Sequence, residues 1–283
     1  MSINSTGTPS SDEYLIGRGI LYLAELNADG TPKSYKDVGN VPAMSLAVDS
    51  ETFEHFSSRA GLKVLDMSAV IQQTANMSFT LENIQDFGNL KYFFSGDAQS
   101  YVNPAAAGFT TATLAAVGTI LANSYYALVD GSGNPVFQLN PANLTVETTN
   151  ATPVALTLDV DYTVDIFTGQ IFLNNTAIVQ TAISNSEGLT TDYTADAQAA
   201  PVDVLNAQTQ TAITVAARFI SEDANTGVKK IYDMHKVTIS ADGDYSLISD
   251  EVTQAPMAGA VEQSSYAGYD GTIDIYAPGE RTA

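Results

Sequence analysis

The 283-residue chain has no cysteine, no tryptophan, two histidines, and eleven lysines and arginines against thirty-two aspartates and glutamates. Without cysteine there is no disulfide framework, no thiolate nucleophile and no cysteine-based metal site, and a core of this size does not need such staples. His55 and His235 lie far apart with no cysteine beside them, so neither a zinc site nor a Ser-His-Asp triad has a sequence basis. His55 reads as an exposed loop residue and His235 as a strand residue. The net charge of -21 repels a polyanion, which excludes ordinary nucleic-acid binding and disfavours an anionic membrane. No run of about 18 apolar residues exists to span a bilayer. Met1 to Glu13 is rich in Ser and Thr and lacks the basic start and apolar run of a secretory signal, so the chain is expected to act where it is made.

What is present favours sheet. Apolar residues make up 45% and charged residues only 15%, with β-branched and aromatic side chains in short runs. Tyr14 to Leu26 reads as a strand ending in the turn Asn27-Ala28-Asp29-Gly30. Val38 to Phe53 and Val64 to Leu81 read as strands of one antiparallel system. Between them, Glu54, His55, Phe56, Ser57, Ser58, Arg59, Ala60 and Gly61 form a polar stretch too long for a tight hairpin, read as a long loop. Asn83 is placed to cap a helix in which Ile84, Phe87, Leu90, Phe93 and Phe94 recur at helical spacing before Gly96 ends it.

After Asp97 the composition turns to Ala, Thr and Asn, with few basic residues as far as Ala217, which marks an inserted module over 104–201 bounded by Pro104 and Pro201. Within it, Ser124–Val129, Val136–Leu139, Leu144–Thr148, Val154–Leu158, Tyr162–Asp165 and Gln170–Leu173 read as short strands of a small β-sandwich. From Ala212 the first domain resumes with Ile213–Ile220, Lys229–Ile239 and Tyr245–Gln254 as strands, then Thr272–Tyr276. The organisation is therefore an N-terminal arm over 1–13, a main domain built from 14–103 and 202–283 with a C-terminal arm from about 268, and the insertion.

The candidate chemistry is thin. Gly17-Arg18-Gly19 resembles a phosphate loop only superficially, since no third glycine or helix follows, and it reads as strand. Asp29-Gly30 and Asp242-Gly243-Asp244 lack the closing acid of a calcium loop and read as turns. No carboxylate pair stands out for glycosidase work. No cofactor, metal or catalytic residue is assigned.

Two blocks, Gly17 to Ile84 and Ala217 to Glu262, resemble the tail tube proteins of tailed bacteriophages. The first carries Gly17-Arg18-Gly19-Ile20-Leu21-Tyr22, Val38-Gly39-Asn40, the run Val48 to Gly61, Asp66 and Phe79 to Ile84; the second carries Ala217-Arg218-Phe219-Ile220 and Val237 to Glu251. Asp161 to Asp165 and Gly169-Gln170-Ile171 look like the immunoglobulin-like modules inserted in some relatives. The resemblance implies a mainly β fold, a sandwich or barrel with one flanking helix plus the inserted sandwich. It also implies a homohexameric ring stacked into a tube that passes DNA without binding it. Glu54 to Gly61 would serve as the ring-stacking loop, and tape-measure, tail terminator and baseplate or tip proteins would be partners. Such a protein belongs to the virion tail, is assembled in the host cytoplasm and is not an enzyme. The alternatives are a non-catalytic virion decoration or adhesin-type β-sandwich protein, and a carbohydrate hydrolase that would need an acid of raised pKa.

Overall fold

The computed structural model describes residues 16–59, 61–101, 110–130, 133–194, 202–224, 227–264 and 271–278. The expected N-terminal arm, Ala60, Pro104 and Pro201, and 268–270 and 279–283 of the expected C-terminal arm lie outside the described residues. In chain order the elements are β1 (Gly17–Glu25), β2 (Lys36–Asp37), β3 (Met44–Ser57), β4 (Val64–Leu81), α1 (Phe87–Phe94) and β5 (Asp97–Tyr101). There follow β6 (Thr110–Ala115), β7 (Ser124–Ala127), β8 (Thr145–Thr148), β9 (Ala155–Leu156), β10 (Tyr162–Asp165), β11 (Gln170–Leu173), α2 (Ala177–Ser184) and β12 (Leu189–Tyr193). The chain returns through β13 (Val202–Asn206), β14 (Ile213–Asp223), β15 (Lys229–Ala241), β16 (Ala255–Val261) and β17 (Ile273–Tyr276). The fold is mainly β, and the chain divides into two units, Met1–Gln99 with Val204–Ala283, and Ser100–Asp203.

The first unit is an eight-stranded antiparallel sheet in the order β2-β1-β14-β15-β16-β4-β3, with β17 added to β15. Its core follows from period-two alternation: Ala75, Met77, Phe79 and Leu81 of β4 face inward and meet Leu21, Leu23, Val215, Met234, Val237, Ile239 and Met257. The sheet curls, so that Met44 to Leu46 of its edge strand line a cleft of about 290 Å³ with Gly17, Phe219, Tyr232 and Met234.

Helix α1 flanks this sheet, with a different start from the one expected. Its N-cap is Asp86, whose carboxylate accepts from Gly88 N at 2.8 Å and from Lys36 Nζ at 2.6 Å. Asn83 instead serves the approach: its side chain accepts from Asn40 N and its carbonyl from the buried Asn89 amide. Ile84 is buried but precedes the helix, and Phe87 is exposed at its first position. Leu90, Phe93 and Phe94 pack on the core. The end is capped by Ser95 in the left-handed region (φ 46) rather than by Gly96. Tyr92 is also buried, which pushes its hydroxyl up to about 12, with the Glu25 and Asp86 carboxylates adding to the effect.

The second unit is a small β-sandwich: sheets β10-β11-β7 and β6-β12-β8-β9 enclose Val146, Leu156, Tyr162, Ile171, Leu173 and Leu189. Expected strands at Tyr162–Asp165 and Gln170–Leu173 occur with those bounds. Val136–Leu139 forms no strand beyond a bridge at Leu139, while β6, β12 and α2 lie where the sequence reading places no element. Helix α2 closes the core through Val179 and Ala182, three residues apart.

Candidate assembly surface

The segment from Glu54 to Gly61 is not a long loop. Glu54, His55, Phe56 and Ser57 complete β3, and pairing with β4 runs out to Ser57 opposite Val64, leaving the turn to Ser58, Arg59, Gly61 and their neighbours. On β4, only Ala75 to Leu81 pairs with β16. Beyond Thr74 the two strands form a ribbon with no further neighbour among the described strands.

Ser45 to Phe56 and Val64 to Thr74 are all exposed, so neither face of the ribbon lies against a core. Yet the ribbon is not polar. Val48, Phe53, Phe56, Leu65, Met67, Val70 and Ile71 stand in solvent, and Leu62 beside the turn is 85% exposed. Phe53 pairs with Ala69 and Phe56 with Leu65. Side chains three apart on a strand point to opposite faces, so both faces carry aromatic surface. A two-stranded ribbon is marginal alone in water, and a contiguous apolar surface of this kind marks an interaction site.

Across the ribbon His55 Nδ1 meets Asp66 Oδ1 at 2.5 Å, tying the strands where a register shift at His55/Phe56 interrupts the ladder. A second shift lies at Glu51/Thr52. These irregularities, together with Asp49, Glu51 and Glu54 on the strand, are the devices that keep an open edge from pairing indiscriminately. The open edges are nonetheless long: among the described residues β3 has no neighbour on its outer side, and at the other end of the sheet β2 covers only Tyr22 and Leu23 of β1.

The polar cleft of about 240 Å³ lined by Glu25, Lys91, Asp97, Gln210 and Thr214 offers a different sort of site. There Glu25 is hydrogen-bonded to Lys91 and, at 3.1 Å, to Lys33, and these contacts hold its carboxyl below the usual range. Asp86, Asp165, Glu262 and Asp274 are likewise held low, chiefly by hydrogen bonds from Lys36, Thr168, Lys236 and His235 respectively. Such groups are ionised acceptors and not proton donors near neutral pH. Among the described residues no cluster of three or more histidines and carboxylates is placed to hold a metal, and no helix is long and apolar enough to cross a membrane.

The polar residues buried in the first unit serve its architecture. Arg218 clamps Asp233 through Nε at 2.6 Å and Nη2 at 2.7 Å while lying 5.0 Å over the Tyr35 ring. His235, buried in β15 as a strand residue, meets Asp274 Oδ2 at 2.8 Å and so fastens β17. Their partners are remote in sequence, and only the sheet brings them together. No curated protein matches the chain. Residues 14–273 match the family described as protein of unknown function UCP028589, and the chain belongs to that family.

Proposed function

We propose that this protein is a structural subunit of a bacteriophage tail tube, non-enzymatic, assembling into rings that stack around an acidic bore through which viral DNA passes. The observation that carries this reading is the β3–β4 ribbon, which carries apolar side chains on both faces and has no partner among the described residues of its own unit. In the ring, the outer edge of β3 on one copy adds to the β1 edge of the next, a heterologous contact that closes when the rotation divides a full turn. Six copies, the number in the family this sequence resembles, satisfy that condition and remove the open edges. The net charge of -21 per subunit supports a conduit to which DNA does not adhere. Tape-measure, tail terminator and baseplate or tip proteins are the partners of such a tube, and the virion tail its location.

The hydrolase reading needs an acid of raised pKa, and Glu25, Asp86, Asp165, Glu262 and Asp274 are held low and so do not serve it. One observation favours a decoration or adhesin-type protein: exposed Tyr125 lies 4.7 Å from Phe172 on the open face of the β7–β11 pair, a surface suited to contact outside the tube. The two differ in self-association. Sedimentation velocity over a hundredfold range of concentration should show the subunit passing into a discrete ring species and then longer assemblies. A monomer at every concentration sinks the tube reading and leaves decoration.

A further inference from the structure

The ribbon ends in a turn that sets two basic residues around an exposed leucine. Arg59 and Lys63 flank Leu62, and all three are exposed. Neither base makes an ion pair among the described residues, as is also true of Arg18 and Lys230, whereas Lys33, Lys36, Lys91, Lys229 and Lys236 each do. The tip is a cationic apolar knob on a chain of net charge -21.

The counterpart lies in the connection from β15 to β16. Residues 242–254, expected in part as a strand, take no regular structure. They hold Asp242, Asp244, Asp250 and Glu251 with no basic residue. Leu247 and Ile248 are 86% and 97% exposed, and Val252 is exposed beside them. Such burial-prone side chains held in water find no partner among the described residues of their own unit. The segment is nonetheless anchored: Tyr245 packs between Phe93 and Phe94 of α1 at 5.7 and 5.6 Å, and Gln254 donates to Glu82 at 3.0 Å. It is presented from a fixed base.

Sheet register places these two surfaces at opposite poles. Strand β16 runs antiparallel to β4 with Ala255 opposite Leu81 and Val261 opposite Ala75. The 242–254 connection therefore adjoins the Leu81 end of β4, whereas the tip follows from its Val64 end. At about 3.3 Å per residue those ends are roughly 55 Å apart along the strand, so a tip cannot reach the loop of its own subunit. Surfaces that are complementary, and lie at opposite ends of one molecule, associate head to tail with another copy.

We propose that the Arg59-Leu62-Lys63 tip of one copy docks on the Leu247-Ile248-Asp250-Glu251 surface of a second copy in the neighbouring ring. Leu62 packs against Leu247 and Ile248, and the two bases pair with the carboxylates. This rests on the tube reading and names the surface that the tip recognises. The partly exposed ion pairs set register and rate of encounter more than raw affinity.

Charge exchange in the full-length protein tests it. R59E/K63E and D250K/E251K alter only exposed side chains, and their urea midpoints should match the parent. Each should raise the concentration at half-assembly at least tenfold, read by light scattering. The chain carrying all four changes should recover, and so should an equimolar mixture of the two double variants, because in both cases each tip again meets a loop of opposite charge. Unchanged assembly of D250K/E251K, or failure of both recoveries, overturns the pairing while the ring reading stands. A parent that never associates overturns the ring reading and the pairing with it.

Discussion

Asp233 of β15 and Asp274 of β17 stand directly opposite one another in their ladder, an arrangement that would repel were each not hydrogen-bonded from another side. Arg218 takes Asp233 from β14, and His235 takes Asp274 from two residues along β15. Strand β17 is thus fastened by a row of polar side chains spanning three strands, on the face of β15 opposite the core residue Met234.

Replacing His235 with Phe should keep an aromatic ring at the site and lose the hold on Asp274, setting two carboxylates against each other. Amides of Ile275 and Tyr276 should exchange faster, while those of β14 stay as they were. Equal protection in the variant would show that backbone pairing alone retains β17.

The same contact has a pH sign. The His235 ring chiefly, with the Tyr276 hydroxyl, holds the Asp274 carboxyl below its ordinary value. A depressed carboxyl contributes stability that is complete above its unfolded value of about 3.9 and is lost as pH falls through the folded one. Protection of β17 should therefore be level down to about pH 5 and decline below about pH 4. In Asp274→Asn that decline should vanish, and its persistence would assign it to another group.

Arg218→Met should leave the Asp233 carboxylate buried without its clamp. Asp233 is 7% exposed at the side chain but Arg218 is 41% exposed, so the loss should be about 2 kcal/mol, below the range for fully buried pairs. Urea unfolding of the first unit measures it. Arg218→Lys should recover only part, since an ammonium cannot make the two-pronged contact.

Joining Glu51 to Gln72, which pair directly, through an Asn-Gly turn removes the ribbon without disturbing the sheet. Because the excised residues face solvent, the urea midpoint should move by less than about 1 kcal/mol of stability. Self-association should be abolished. A shortened chain that still assembles would take the ribbon out of the assembly surface.

Gly169→Ala probes the second unit alone. Gly169 has φ +68, and an added Cβ would sit 1.8 Å from the Val136 carbonyl oxygen. The substitution should cost the sandwich about 2 kcal/mol or more while the first unit unfolds at its usual midpoint. Calorimetry should show only one transition shifted.

Strands with one buried face were legible from alternation, as in the Ala75 to Leu81 stretch and at Tyr162–Asp165. The ribbon was not, because a strand exposed on both faces has no buried period to read, and Glu54 to Ser58 looked like loop by polarity. The converse misled at Tyr245 to Gln254, where Leu247, Ile248 and Val252 looked like strand residues but are exposed in irregular chain. Helix α2 hid behind β-branched Ile178, Val179, Thr181 and Ile183, and packing against the sandwich core outweighs their local preference. Asp86 as the helix cap is reachable from its residue type, three residues past Asn83; its bond to Lys36, fifty positions away, is not.

The most direct test of the central claim is electron microscopy of the purified full-length protein as it is concentrated. Rings of one fixed diameter with an open bore, stacking into tubes, are the predicted result. Separate single subunits at every concentration, with the ribbon amides exchanging as fast in concentrated as in dilute protein, would contradict it.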